Sequence, residues 1–276
     1  MDFLLFLQAC LYGLVQGITE WLPISSTGHM CLLDNFAKPA VSDGFWDLFL
    51  IVVQLASILA VVILFWHRLW PFSAKKDAAA RRSTFSLWGR VLVASVPAAI
   101  LGLAFEDLIE GVLRGNLVIA VALIVLGIGF LFLSRIPTKS HTAENLPLPK
   151  AFGIGLFQAL ALIPGTSRSG STIFGASLLG VDRVTAAEFS FFMAIPVMAG
   201  ASGLKLVKFV LDGLSLTTSE ILFLLVGCLV SFVVSLFAVR FLMDFVKKHS
   251  FAPFGIYRIA LGILLVVLIA TGVIHA

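Results

Sequence analysis

The sequence predicts an all-α, polytopic membrane protein, and its composition and its long apolar segments carry that prediction. Of its 276 residues, 60% are hydrophobic and only 12% are charged, and the mean hydropathy is +1.08. Such a chain cannot cover itself with a solvated surface, which excludes a water-soluble globule. Apolar runs of about 20 residues cross a bilayer core as helices. The sequence contains eight apolar segments, at residues 3–30, 45–66, 88–104, 116–134, 151–180, 187–211, 220–243 and 254–274.

The segment 45–66 is the most clearly bounded, because Trp46 and Trp66 stand at its ends. Their separation of 20 residues corresponds to about 30 Å of helix. Aromatic belts at the two faces of a bilayer have this spacing. The loop that follows is basic and carries Arg68, Lys75, Lys76, Arg81, Arg82 and Arg90 against Asp77 alone. The positive-inside rule therefore predicts that residues 67–90 lie in the cytoplasm.

Charges in the later connections continue this topology. Cytoplasmic connections are indicated by Arg135, Lys139 and Lys150, and again by Arg240, Lys247 and Lys248. Outer connections are indicated by Glu106, Asp107 and Glu110, and by Asp212 and Glu220, with Lys205 and Lys208 as exceptions. The chain passes from the second cytoplasmic loop, residues 135–150, to the third, residues 244–253, through the segment 151–180 and the spans 187–211 and 220–243. The two spans alone already return the chain to the cytoplasmic side. The segment 151–180 must therefore enter and leave the membrane on one face, which makes it re-entrant.

A helix break inside this segment agrees with that course. Residues 151–163 form only about 20 Å of helix before Pro164 and Gly165 interrupt it. The stretch "GLVQGITEWLPISSTG" near the N-terminus aligns with "GLFQALALIPGTSRSG" with a one-residue gap. This alignment pairs Gln16 with Gln158, Pro23 with Pro164, and Ser26 with Ser167. We therefore expect one membrane domain, residues 1–276, with six transmembrane helices plus two re-entrant broken-helix segments in an inverted-topology repeat, residues 1–134 and 151–276.

The second break, "PGTSRSGST", has the composition of an anion site. Arg168 is surrounded by small hydroxyl residues, namely Ser167, Ser169, Ser171 and Thr172. Backbone N–H groups at a helix N-terminus together with a guanidinium bind phosphate well. The alternative is that Arg168 is only an intramembrane partner for Glu20, but an ion pair needs no run of hydroxyls around it.

The first break, "QGITEWLPISSTGH", places a carboxylate beside further hydroxyls and a histidine. Gln16 and Glu20 share one helix face, and Pro23 ends that helix. On the irregular backbone that follows, Ser26 and His29 are expected within hydrogen-bond reach of each other. A carboxylate in hydrocarbon costs at least about 2.5 kcal/mol, which makes it a functional candidate. The alternative is that these hydroxyls only cap the second half-helix.

These two motifs, together with "AAEFSFFMAIPVMAGA", resemble the undecaprenyl-diphosphate phosphatase family, also called bacitracin-resistance proteins. The resemblance covers essentially the whole chain. It implies a bacterial inner-membrane enzyme, with its site open to the periplasm, that hydrolyses undecaprenyl diphosphate and recycles the lipid carrier for peptidoglycan synthesis. It also implies six spans plus two re-entrant segments, the same architecture that the charge pattern predicts.

The resemblance further implies roles for individual residues. Glu20 is similar to the family's essential carboxylate, Ser26 and His29 to its proposed nucleophile and partner, and Arg168 to its phosphate-binding arginine. Candidate phosphate ligands are Ser25, Thr27, Ser167, Ser169 and Thr172. The family's dependence on a divalent cation implies Mg²⁺ or Ca²⁺, held by Glu20, by Gln16 and by the substrate phosphates. Many members carry glutamate where this chain has Gln16, which weakens a two-carboxylate metal site.

The resulting hypothesis has Arg168 hold the terminal phosphoryl group while Ser26 attacks it and His29, supported by Glu20, takes the proton. Direct attack by a water that His29 activates is the rival mechanism. A transporter or flippase of polyprenyl phosphate or another anion is the alternative function, and an ion channel is less well supported. Expected partners are a polyprenyl diphosphate and membrane lipids; no nucleic acid is expected, because the basic charge lies in loops. A homodimer is left open.

Overall fold

The computed structural model describes residues 1–105, 115–211, 213 and 215–275, and within these ranges the regular structure is helical. In chain order the helices are α1 Phe3–Thr19, α2 Ser26–Ala37, α3 Asp43–Leu64, α4 Trp66–Leu69, α5 Ala78–Ala104, α6 Asn116–Phe132, α7 Leu148–Gln158, α8 Arg168–Leu178, α9 Arg183–Leu211, α10 Thr218–Lys248 and α11 Ala252–Ala270. Short 3₁₀ turns extend α6 at Leu133–Arg135 and α7 at Ala159–Leu162. The acidic residues Glu106, Asp107, Glu110 and Asp212 lie outside the described ranges.

Six helices of the described part are long and apolar enough to cross a membrane, which confirms the predicted number of spans. They are Asp43–Leu64, Ala78–Ala104, Asn116–Arg135, Arg183–Leu211, Thr218–Lys248 and Ala252–Ala270. The two remaining apolar segments are each split into two shorter helices, α1 with α2 and α7 with α8. The chain is therefore a multi-pass membrane protein with two broken helices, whose re-entrant course stays a prediction.

The basic connection after α3 differs from the predicted loop, because most of it is helical. The α5 helix begins at Ala78, where the Asp77 side chain accepts a hydrogen bond from the N–H of Ala80. This N-cap satisfies one of the free donors of the first turn. Arg81 and Arg82 consequently lie on the first turns of α5, and the span is ten residues longer than its apolar core suggested.

The two broken helices each pack against a span of the other predicted repeat. The α1 helix packs against α10, and α7 packs against α5. At the aligned glycines the contact is backbone to backbone: a Cβ on Gly13 would lie 2.5 Å from the Gly227 oxygen, and one on Gly155 would lie 2.1 Å from the Ala94 oxygen. Small residues allow such close approach between helices in lipid. This reciprocal packing supports the predicted repeat, whose inverted orientation stays a prediction.

An ion-pair cluster connects the predicted cytoplasmic ends of three elements. The Arg68 guanidinium donates to Glu144 Oε1 from Nη2 at 2.6 Å and to Glu188 Oε1 from Nη1 at 2.7 Å. These residues belong to α4, to the connection before α7, and to α9. Burial by itself raises the pKa of Glu144, but the hydrogen bonds and charge of Arg68 outweigh burial and leave that pKa below its ordinary value.

Glu144→Gln should therefore lower stability at neutral pH by about 1–2 kcal/mol, and should change its pH dependence. A depressed folded-state pKa stabilises the fold above the ordinary pKa of about 4.3, and that stabilisation is lost as the pH falls through the folded-state value. Thermal unfolding in detergent, followed from about pH 7 to about pH 3, should show the native protein losing stability more steeply than the variant. The exposed Asp47→Asn, which removes a carboxylate with no described side-chain contact, is the control, and parallel curves for the native protein and Glu144→Gln would contradict the prediction.

Candidate active site

Both helix breaks end in the same unusual backbone conformation. Ser25 and Ser167 have φ values of 78° and 69°, the only positive φ values among described non-glycine residues. Each is the N-cap of the helix that follows, and its hydroxyl accepts a hydrogen bond from the N–H of Gly28 or Gly170. The backbone of these serines is strained by about 1–3 kcal/mol, and such strain concentrates at functional sites.

This shared geometry shifts the predicted correspondence of the two motifs by one residue. Ser167 matches Ser25 rather than Ser26, because both are N-caps. Ser26 and Arg168 are then equivalent, each being the first residue of the second half-helix. The first N–H groups of both helices have no intrahelical acceptor. Two positive helix ends are therefore available at the breaks, as an anion site requires.

The two breaks are in direct contact. Ser169 Oγ donates to the Glu20 carbonyl oxygen at 3.1 Å and to that of Leu22 at 3.2 Å. Arg168 Nη2 lies 3.2 Å from Glu20 Oε1, and their side chains are only 11% and 6% exposed. The Arg168 guanidinium also lies over the ring of Trp21, at 5.6 Å from its centroid. The structure thus brings together residues separated by about half of the chain.

Three polar side chains contact the Glu20 carboxylate. Its Oε2 accepts hydrogen bonds from Gln16 Nε2 and from Ser26 Oγ, both at 3.0 Å, while its Oε1 pairs with Arg168. The carboxylate is therefore positioned to take the proton of the Ser26 hydroxyl. The sequence predicted that His29 takes the proton of Ser26. The structure differs, because α2 places the Ser26 hydroxyl against the Glu20 side chain at the end of α1.

His29 instead faces the exposed side of the site. Its Nδ1 lies 2.7 Å from the Ser25 carbonyl oxygen, and its Nε2 lies 2.7 Å from the Tyr257 hydroxyl. Since a carbonyl can only accept, Nδ1 carries the proton, and in the neutral ring Nε2 accepts from Tyr257. The two rings are stacked with centroids 5.6 Å apart. The Nε2 lone pair of His29 is therefore occupied by the Tyr257 hydroxyl, and no hydrogen bond joins the His29 ring to the Ser26 hydroxyl among the described contacts.

Not all of the predicted phosphate ligands are available for binding. Ser25 and Thr172 are fully buried. Ser25 caps α2, and Thr172 Oγ1 lies 2.6 Å from the Ser190 hydroxyl. These two hydroxyls support the backbone and α9 instead of facing a ligand. Thr27 is exposed, with no hydroxyl partner among the described contacts, while Ser167 and Ser169 bond one another at the break.

One of the three guanidinium nitrogens of Arg168 has no hydrogen-bond partner among the described residues. Its Nη1 donates to the Ser190 carbonyl oxygen at 2.9 Å, and its Nη2 contacts Glu20. Its Nε is buried and, within the described residues, has no hydrogen-bond partner. An unpaired donor on a buried cation costs stability unless a ligand satisfies it. A phosphate oxygen is an acceptor of the right charge for this group.

Arg258 on α11 is a further residue of the site, which sequence analysis missed. Its side chain is fully buried. Nη1 donates to the Pro23 carbonyl oxygen at 3.2 Å, and Nη2 donates to those of Gly165 and Thr166 at 2.9 and 3.0 Å. It therefore joins the two breaks. The available signal was that Arg258 is the one charged residue in the apolar helix 252–270, and an intramembrane charge is by default a functional candidate.

The donor set limits how a divalent cation could bind. Within the described residues, no group of three or more His, Cys, Asp and Glu side chains is placed to hold a metal ion. Glu20 is the single carboxylate at the breaks, and Gln16, Ser26 and Arg168 already contact it. The residues therefore do not fit a cation held by protein side chains alone. They fit an ion that arrives with the oxygens of a diphosphate.

Two broken membrane helices that enclose a guanidinium, a carboxylate and several hydroxyls define a class of protein, an intramembrane protein built to bind a phosphate-like anion. Comparison with known proteins is more specific. The sequence profile described as bacitracin resistance protein BacA matches residues 9–264, and the chain belongs to that family.

Curated relatives match over nearly their whole length. The chain is 48% identical over 276 residues to an undecaprenyl-diphosphatase of Enterococcus faecalis, covering 98% of this chain and 99% of the relative. It is 49% identical over 265 residues to an undecaprenyl-diphosphatase of Acetivibrio thermocellus, covering 94% and 96%. It is 50% identical over 258 residues to undecaprenyl-diphosphatase 1 of Clostridioides difficile, covering 93% of each chain.

Proposed function

We propose that this protein hydrolyses undecaprenyl diphosphate to undecaprenyl phosphate and inorganic phosphate, and so regenerates the lipid carrier of peptidoglycan synthesis. The observation that carries the proposal is the hydrogen bond of Ser26 Oγ to Glu20 Oε2 beside Arg168. A nucleophile with a base in contact is what phosphoryl transfer needs, whereas a carrier needs only an anion site. Family membership, and the activity named in the relatives, support the same conclusion.

In the first step, the Ser26 oxygen attacks the terminal phosphorus. A bond forms between Ser26 Oγ and that phosphorus, and the bond from it to the bridging oxygen breaks. Undecaprenyl phosphate leaves with the bridging oxygen, and the proton of Ser26 passes to Glu20. Arg168, through its free Nε, and the N–H groups at the starts of α2 and α8 stabilise the charge that develops on the phosphoryl oxygens.

In the second step, water hydrolyses the phosphoseryl intermediate. His29 Nε2 takes a proton from the attacking water once Tyr257 turns away, and the bond between phosphorus and Ser26 Oγ breaks. Glu20 returns its proton to Ser26, phosphate leaves, and His29 releases its proton to solvent, which restores the starting state. The two proton transfers are divided between Glu20 and His29 because, among the described residues, Ser26 Oγ bonds Glu20 whereas His29 bonds Ser25 and Tyr257.

A divalent cation, Mg²⁺ or Ca²⁺, would be held by Glu20 and Gln16 together with the substrate phosphates. Such an ion supplies charge neutralisation of the diphosphate. We further propose that the protein lies in the bacterial inner membrane with this site open to the periplasm. The undecaprenyl chain would stay among lipid tails, so that only the diphosphate enters the polar breaks.

Phosphate release by purified protein in detergent tests the function. With undecaprenyl or farnesyl diphosphate and Mg²⁺ or Ca²⁺ present, we expect multiple turnovers, and EDTA should slow them. Inorganic pyrophosphate without a prenyl chain is the control substrate and should react far more slowly. Folded protein that binds the prenyl diphosphate but releases no phosphate would overturn the proposal in favour of transport.

Arg258→Lys should lower phosphate release by about 100-fold, since misplacing a reacting group by about 1 Å has costs of this size. Lysine has a single nitrogen and cannot contact all three carbonyl oxygens that Arg258 contacts, so the two breaks should shift relative to each other. The measurement is kcat and KM of the folded variant, with the fall expected in kcat. The exposed Arg240→Lys is the matched control; normal kcat in Arg258→Lys would show that the contact does not position the site.

A further inference from the structure

An apolar cavity lies at the predicted cytoplasmic side of the spans. Its volume is about 300 Å³, and α3, α4, α5 and α9 supply its walls. Typical wall residues are Val62, Leu69, Leu87, Val91, Phe192 and Pro196. None of the residues of the two breaks lines the cavity, whose walls are apolar. Phe192 of the cavity belongs to the same hydrophobic core as Trp21, so the cavity neighbours the site described above but is lined by different residues.

Five exposed aromatic rings form a chain of contacts, here called the rim, and three of them, Trp66, Trp70 and Trp88, line this cavity. Trp66 stacks on Trp70 at 5.0 Å, Trp70 contacts Phe72 at 5.5 Å, Phe72 contacts Phe85 at 6.2 Å, and Phe85 contacts Trp88 at 5.8 Å between centroids. All five side chains are exposed. Tryptophan is favoured at the level of lipid head groups, where one edge is apolar and the other wet. The rim thus marks the depth at which a lipid would sit.

Basic residues without partners lie beside the rim. Lys75, Arg81 and Arg82 are exposed, and their side chains make no hydrogen bond or ion pair among the described contacts. Arg81 precedes Phe85 by four residues on α5, and so shares its face. Other basic residues of the segment are occupied: Arg68 pairs with two glutamates, and Lys76 donates to Thr84 Oγ1 at 2.6 Å. The three unpaired cations are therefore free to bind an anionic group.

We propose that this cavity binds one acyl chain of an anionic phospholipid from the cytoplasmic leaflet, while Lys75, Arg81 and Arg82 bind the phosphate of its head group. The apolar cavity would contact the acyl chain, the aromatic rim would lie at the level of the head group, and the three cations would neutralise the charge of the phosphate. Anionic lipids attract basic residues near a membrane surface. The undecaprenyl chain fits less well: in the proposed function its diphosphate binds at the breaks, and neither Thr27, His29 nor Tyr257 lines the cavity.

Quenching of tryptophan fluorescence by brominated lipids tests the proposal in nanodiscs. Phosphatidylglycerol with brominated chains is compared with brominated phosphatidylcholine at the same low mole fraction. Trp66, Trp70 and Trp88 are exposed, whereas Trp21 and Trp46 are buried, so the reporters are the rim residues. We expect the anionic lipid to quench at much lower mole fraction. Replacing the three rim tryptophans with phenylalanine should remove this quenching.

Two charge variants decide the role of the basic residues. Arg81→Gln with Arg82→Gln should reduce the preference for the anionic lipid by about 30-fold, since each basic residue near the surface contributes about fivefold. Lys247→Gln with Lys248→Gln removes the same charge from the same predicted face and should retain the preference. Equal quenching by both lipids in the native protein would overturn the proposal. So would suppression of quenching by unbrominated undecaprenyl phosphate, which would assign the cavity to the prenyl chain.

Discussion

Ser26→Ala should abolish phosphate release, with a fall in kcat of at least about 10⁴-fold. The Ser26 hydroxyl is the one nucleophile bonded to the Glu20 carboxylate, at 3.0 Å. Alanine removes that oxygen with little change of volume, so the fold should be retained. Turnover of undecaprenyl diphosphate and thermal unfolding should be measured on the same preparation. Stability should change by less than about 1 kcal/mol, the size of one ordinary hydrogen bond.

The matched control is Ser83→Ala, which removes an exposed hydroxyl of α5 far along the chain from the breaks. Stopping the reaction of native protein with acid, using substrate labelled in the terminal phosphate, should leave label on Ser26. Near-normal turnover by Ser26→Ala would eliminate the covalent mechanism. Water activated by His29 would then be the attacking group, and His29→Ala would become the more damaging variant.

Arg168→Lys should reduce kcat by about 10²–10³-fold, the loss typical of removing a donor that stabilises transition-state charge. Arginine donates here to Glu20 and to the Ser190 carbonyl oxygen, and its Nε remains for the phosphate. Lysine keeps the charge, but its single nitrogen cannot serve three acceptors that lie in different directions. The charge alone is therefore not expected to restore activity.

Steady-state kinetics and a double-mutant cycle check this prediction. Glu20→Gln and Arg168→Gln should each destabilise the protein, because each leaves a buried charge without its partner. The double variant should be less destabilised than the sum of the two, and equally inactive. The exposed Arg183→Lys is the control for the chemical change. Additive losses of stability would show that the pair at 3.2 Å contributes no coupling.

Much of the architecture follows from local properties of the sequence. The six spans follow from runs of apolar residues, and the two breaks are indicated by Pro23 and by Pro164 with Gly165. A proline alone does not decide a break, because α5 and α9 continue through Pro97 and Pro196. The segment ends were less predictable. The α5 helix begins at Ala78 because Asp77 caps it, and capping extends a helix beyond the apolar core that hydropathy detects.

Most residues of the candidate site were predicted, but Arg258 and the arrangement of the residues were not. Glu20, Arg168 and Ser26 lie together as predicted, since charged and hydroxyl groups in a membrane must be enclosed by protein. The partner of Ser26 was not predictable, because successive helical residues differ by about 100° in direction. A one-residue shift between Ser25 and Ser26 changes which hydroxyl caps the helix and which faces Glu20.

The sequence by itself determines that this is a membrane protein with six apolar spans, two broken helices, and a carboxylate and a guanidinium at the breaks, because these are properties of composition and of residues close in the chain. Only the tertiary structure decides that Ser26 bonds Glu20, that His29 faces Tyr257, and that Arg258 joins the two breaks. The contact between Ser26 and Glu20 is local. The other contacts join distant parts of the chain, some of them more than 200 positions apart. Their geometry depends on how whole helices pack, which no short stretch of sequence contains.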